Sequence, residues 1–201
     1  MKKKIFIDLN DVFREFSKQY IIYFNKSGID KNFNPDKIKY VGGDMYSPFN
    51  FPSKKSKEDF EREEFVFEIF GCAKSTHTSL PGHFNVWLND IMDEFEDQVE
   101  IWFISPYEVH LQRQATLLFL TKTCSRVSHI WFPKNLKEIW NQCDILITAN
   151  PMLLEKTPKG KTTIKINTKY NKKSKSTYSY EGLMNFIMDE NQEKIKEIIK
   201  T

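Results

Sequence analysis

The chain has 201 residues, of which 40% are hydrophobic and 28% charged, with a net charge of +3. That is enough for one domain with a real core plus an inserted cap, and so small a net charge does not argue for nucleic-acid binding as a property of the whole surface. No apolar run approaches the roughly 20 residues needed to span a bilayer, so no membrane partner is expected.

Cys72, Cys124 and Cys143 show no paired spacing, and the apolar stretch after Met1 and its three lysines is too short for a secretory signal. A reduced, cytoplasmic protein is expected. Residues 4–8 are apolar, with β-branched Ile5 and Ile7, and predict a buried strand that stops at the polar cluster Asp8-Leu9-Asn10-Asp11. From Asp11 to Asn25 the apolar residues Val12, Phe13, Phe16, Tyr20, Tyr23 and Phe24 recur at helical spacing; Asp11 is placed to cap that helix and Gly28 to close it. Residues 29–56 are punctuated by Pro35, Gly42, Gly43, Pro48 and Pro52 and predict an irregular insertion. A helical pattern returns over 57–71 through Phe60, Phe67 and Phe70. Residues 29–80 are therefore expected to form a small cap, with 1–28 and 81–201 as the core. Tyr46, Phe49 and Phe51 are either cap core or a contact surface.

Pro81-Gly82 predicts a turn, and 83–95 an amphipathic helix with Phe84, Trp87, Leu88 and Ile91 on one face. Strands are predicted at 99–104, 127–132, 144–147 and 162–166, and helices at 109–122, 134–142 and 180–199. Strands alternating with helices give an α/β class: a three-layer, Rossmann-like parallel sheet with a mostly helical cap inserted after the first strand.

Open α/β sheets collect their chemistry at the carboxyl edge of the strands. Here the first strand ends in Asp8, the second in Ser105, and the fourth in Thr148-Ala149-Asn150-Pro151, followed by Pro158-Lys159-Gly160-Lys161 and Asn167. The chain resembles the haloacid dehalogenase-like (HAD-like) superfamily on these residues, and more narrowly its 5'(3')-deoxyribonucleotidase-type branch. The resemblance implies an aspartyl-phosphate at Asp8 and general acid–base work two residues later. It also implies a hydroxyl at Ser105 for the phosphoryl oxygens, a lysine at Lys137 (Lys134 as alternate), and acids at the fourth tip that help Asp8 hold Mg²⁺.

Several positions depart from that pattern. Asn10 stands at the acid/base position, and an amide does not titrate near neutral pH. Asp11 is one place further on and is expected to face the other way. Thr148 and Ala149 stand where the branch carries two aspartates, and Asp144 lies at the opposite end of its strand. The metal site is reduced to Asp8, a carbonyl and Thr148. Asp8 then reads as a nucleophile or as a remnant that caps a turn. Ser105 reads as a phosphate ligand or as a helix N-cap, and Lys137 as an anion contact or a solvated helix residue. His77, His83, His110 and His129 show no ligand spacing, and Cys124 and Cys143 read as buried apolar residues.

The expected function is a catalytically degenerate HAD-like domain without a cofactor, with a binding or structural role and a protein partner. One alternative is an active Mg²⁺-dependent nucleotidase or phosphatase acting on (deoxy)nucleotides through Asp8. Another is a nucleic-acid or protein accessory factor using the lysines between Lys169 and Lys175.

Overall fold

A computed structural model describes residues 2–71, 74–188 and 192–200. Strand β1 (Lys3–Asp8) leads through a tight loop to helix α1 (Phe16–Ser27), which Gly28 ends in the left-handed conformation at φ 65°. Glycine adopts that conformation without steric penalty. The insertion follows. It has a short 3₁₀ turn at Pro35–Lys37, helix α2 (Lys54–Asp59), and two π-helical turns at Phe60–Glu64 and Phe67–Gly71.

The remaining elements alternate. They are α3 (Leu80–Glu94), β2 (Val99–Ile104), α4 (His110–Thr123), β3 (His129–Trp131), α5 (Leu136–Gln142), β4 (Ile145–Thr148), α6 (Pro151–Glu155) and β5 (Thr162–Ile166), then β6 (Tyr178–Tyr180), α7 (Leu183–Ile187) and α8 (Gln192–Lys200). All neighbouring strands pair in parallel, in the order β3-β2-β1-β4-β5-β6. The sequence order reverses on either side of β1, so the crevice at the tips of β1 and β4 is a topological switch point.

Side-chain alternation divides the core. Ile5 and Ile7 of β1 pack on one face with α3, α7 and α8, while Phe6 packs on the other with Leu136, Ile139 and Leu153. The result is the three-layer parallel α/β architecture with helical insertion that the sequence pattern predicts. A third cluster lies in the insertion. Phe16, Tyr20 and Phe24 of α1 pack there on Phe49, Phe60, Val66, Ile69 and Phe70, with Ala115 of α4. Phe49 is cap core, and Tyr46 and Phe51 pack partly buried against it.

Four local expectations need correction. The first helix starts at Phe16 rather than at Asp11, because Asp11 takes a left-handed backbone (φ 58°) that no helix can continue. Asp11 still caps it: its Oδ1 accepts from the Ser17 N–H at 2.8 Å and from the Ser17 hydroxyl at 3.0 Å. Pro81-Gly82 is not a turn but the first turn of α3, where a proline loses no hydrogen bond. Residues 178–180 are a strand on the sheet edge, and Gly182, extended, separates them from α7, so the predicted helix over 180–199 does not form as one piece. The third strand is shorter than expected, at three residues. Cys72 lies outside the described residues.

Candidate functional site

The loop between β1 and α1 brings the tip residues together. Asp8 ends β1 and is 2% exposed. Its Oδ2 accepts from the Thr148 hydroxyl at the tip of β4 (2.8 Å), and its Oδ1 from the Asn10 N–H (3.3 Å). Burial pushes the Asp8 carboxyl up to about 7, against the opposing pull of those two hydrogen bonds and of Arg14. Thr148 is itself fixed, since its hydroxyl oxygen accepts from the Asn150 N–H at 3.0 Å.

The left-handed backbone turns Asp11 toward the same cavity as Asp8, against the expectation that it faces away. Tyr170 donates its hydroxyl to Asp11 Oδ2 at 2.6 Å. Burial raises the Asp11 carboxyl, with the Tyr170 and Ser17 hydrogen bonds opposing, and burial together with Asp11 raises the Tyr170 hydroxyl well above its ordinary value.

Behind these groups lies an ion pair that the motif reading did not contain. Arg14 is fully buried. Its Nη1 donates to the Phe70 carbonyl and the Thr116 hydroxyl, both at 2.7 Å. Its Nη2 donates to Glu108 Oε1 at 2.9 Å and to the Ser105 hydroxyl at 3.3 Å, and its Nε to Asn10 Oδ1 at 3.2 Å. Ser105 in turn donates to Glu108 Oε1, as does Thr116 at 2.8 Å. The rings of Phe16, Phe70 and Phe119 enclose the guanidinium. Burial raises the Glu108 carboxyl, and Arg14 opposes the shift. Sequence signals for the pair exist. Arg14 interrupts the apolar run Val12-Phe13-Arg14-Glu15-Phe16, and Glu108 follows Ser105 by three residues.

The structure thus joins Asp8 to Thr148 and, through Arg14, joins Asn10 to Ser105. Ser105 is not a helix N-cap, because Val109 holds that place before α4. Lys137 and Lys134 are exposed around the start of α5 and do not line the cavity. Burial pushes the thiols of Cys143 and Cys124 up, the latter to about 12, which removes both as nucleophiles at neutral pH. Asn171 ties the lysine-rich loop to the β4 tip by donating to the Ala149 carbonyl at 2.9 Å, while Lys169, Lys172, Lys173 and Lys175 stay exposed.

The donor set does not fit Mg²⁺. The β4 tip supplies no carboxylate, and beside Asp8 it offers only the Thr148 hydroxyl and backbone carbonyls. Among the described residues no three His, Cys, Asp or Glu side chains converge as metal ligands.

The overall fold recurs in solved structures. The chain is similar to a haloacid dehalogenase-like hydrolase from Bacteroides fragilis at 10% identity and a TM-score of 0.61, over 91% of this chain and 98% of that one. The fold is that of the HAD-like hydrolases. A HAD-like hydrolase from Burkholderia xenovorans matches at 9% identity and a TM-score of 0.56, over 96% of this chain and 99% of that one. A β-phosphoglucomutase from Clostridium difficile matches over the whole of both chains, at 14% identity and a TM-score of 0.52. No protein-family model and no curated protein sequence matches. These similarities extend across HAD-like folds and do not single out the deoxyribonucleotidase-type branch. No helix among the described residues is long and apolar enough to cross a membrane.

Proposed function

We propose that this HAD-like domain does not transfer phosphoryl groups and acts by binding, as a component of an assembly with a protein partner. The observation that carries the reading is the buried network around Arg14. Asn10 and Ser105, which the family resemblance would assign to proton transfer and to phosphoryl oxygens, are both hydrogen-bonded to its guanidinium, and Ser105 also donates to Glu108. A phosphate entering the cavity would meet Asp8 and Asp11, with no lysine or arginine lining the space to offset its charge. Asn10 has no proton to exchange at neutral pH. Among the described residues Asp11 is the acid nearest that role, and its carboxylate is held by Ser17 and Tyr170; the other acids at the cavity, Asp44 and Glu155, belong to the insertion and to α6.

The test is a panel of phosphate esters, deoxynucleotides included, assayed with saturating Mg²⁺. The expected result is no release of phosphate that depends on Asp8. Turnover near the enzyme median of about 10 s⁻¹, lost in Asp8→Ala, would overturn the reading in favour of a nucleotidase working through Asp8.

A further inference from the structure

The cavity above Asp8 encloses about 420 Å³, a size found among small-molecule sites of roughly 300–1,000 Å³. Its walls are largely apolar and aromatic, with Phe16, Tyr46, Tyr107 and Tyr170 around the space and Met45 and Met152 beside them. Carboxylates supply all of its formal charge. Asp8 and Asp11 line it as buried side chains, Asp44 and Glu155 as exposed ones, and no lysine, arginine or histidine takes part.

Asp8 and Asp11 are 2% and 8% exposed, yet neither is in an ion pair among the described residues. Their hydrogen-bond donors are neutral: Thr148 and a backbone N–H for Asp8, Ser17 and Tyr170 for Asp11. The nearest cation, Arg14, is committed to Glu108, so burial favours the protonated form of both acids in the fold itself; a cation entering the space they border would supply the missing counter-charge and favour the carboxylates. Carboxylate oxygens accept more than one hydrogen bond each, so both acids retain acceptor capacity for N–H donors. Tyrosine rings pack against a hydrocarbon body and attract a cation; one face of Tyr46 already holds the Lys57 ammonium, 3.9 Å from the ring centre.

We propose that this cavity binds an organic ammonium compound, with the charged nitrogen at Asp8 and Asp11 and its apolar body among Tyr46, Tyr107 and the two methionines. The inference rests on the non-catalytic reading above, since a phosphoryl-transfer site needs positive charge where this cavity carries acids. Hydrated Mg²⁺ is a poorer match: it uses neither the aromatic walls nor the apolar volume.

The experiment is a calorimetric titration of the full chain with benzylammonium chloride, and with neutral benzyl alcohol as the matched control. Benzylammonium is expected to bind at least about tenfold more tightly than the alcohol, a difference of about 1.4 kcal/mol. Asp44→Asn and Tyr107→Asn are each expected to weaken benzylammonium several-fold. Both sites are exposed, and asparagine tolerates the left-handed backbone of Tyr107 (φ 67°), so thermal unfolding should confirm that both variants fold. Equal binding of alcohol and amine, or no amine binding by folded wild-type protein, overturns the inference. If the amine fails while Asp8-dependent phosphate release stays absent, the ligand class falls and the non-catalytic reading stands. If phosphate release appears, both fall.

Discussion

Asp8 holds its proton far more tightly in the fold than in the unfolded chain, where it titrates near 3.8 against about 7 when buried. The folded protein therefore binds more protons than the unfolded one between these values. The sign follows: the Asp8 contribution is fully present below about pH 4 and is lost as pH rises through about 7. Asp8→Asn removes that dependence. Denaturant midpoints measured from pH 4 to pH 8 should show a flatter profile for the variant, and a variant at least as stable as wild type at pH 8. Some slope should persist, because Asp11 and Glu108 are shifted in the same direction. An unchanged profile would mean that Asp8 is not protonated in the fold near neutral pH. The Arg14–Glu108 pair obeys different arithmetic. Both side chains are buried, so removing one leaves the other charge uncompensated. Arg14→Met is expected to cost about 3–5 kcal/mol in urea unfolding. Adding Glu108→Leu should recover part of that loss, because the orphaned carboxylate goes with it.

At the scale of elements, the insertion is held to the sheet domain by close backbone contacts as well as by rings. Gly71 ends the second π-helical turn, and a Cβ there would lie 3.0 Å from the Ala115 carbonyl oxygen and 3.3 Å from its Cα, both backbone atoms of α4. Backbone cannot yield as a flexible side chain can. Gly71→Ala is therefore expected to push the turn away from α4, costing about 1–3 kcal/mol. It should also weaken the bond from Arg14 to the neighbouring Phe70 carbonyl. Gly28→Ala is the control. Its Cβ meets nothing within 4 Å, and only the left-handed backbone is strained, so the loss should be smaller, about 1 kcal/mol. Equal losses in thermal unfolding would show that close approach at Gly71 is unimportant. The two sites also show what sequence periodicity carries. Gly28 was legible as a helix stop because a left-handed cap is a local device. Gly71 was not, because its constraint comes from a helix about forty residues further along the chain.

Across the whole molecule, what was legible followed the same division. Ile5, Ile7, Ile101 and Ile147 announce strands by local composition, and the parallel layers follow from their alternation with helices. The place of Asp8 beside Thr148 was legible once those strands were placed, because the crevice is set by strand order. Arg14 and Glu108 are separated by 94 residues and meet only through the tertiary structure, so the local signals at each position did not announce that they pair. Tyr170 reaches Asp11 across 159 residues for the same reason. The core clusters carry a consequence of their own. Phe60, Phe24 and Tyr20 pack in the insertion's cluster, distinct from the two that hold the sheet, and the link between them runs through Phe70, Ala115 and Arg14. Such an arrangement predicts local opening of the insertion without loss of the sheet. Phe60→Leu removes ring contacts to Tyr20, Phe24, Phe51 and Phe65 and should cost on the order of 1–2 kcal/mol. In native-state hydrogen exchange that loss should fall on amides of residues 16–27 and 54–71, while amides of β1 and β4 keep their wild-type protection under conditions where the insertion opens before the sheet. A uniform loss of protection over both regions would mean that insertion and sheet unfold as one cooperative unit, with the Arg14 network too strong to let them separate.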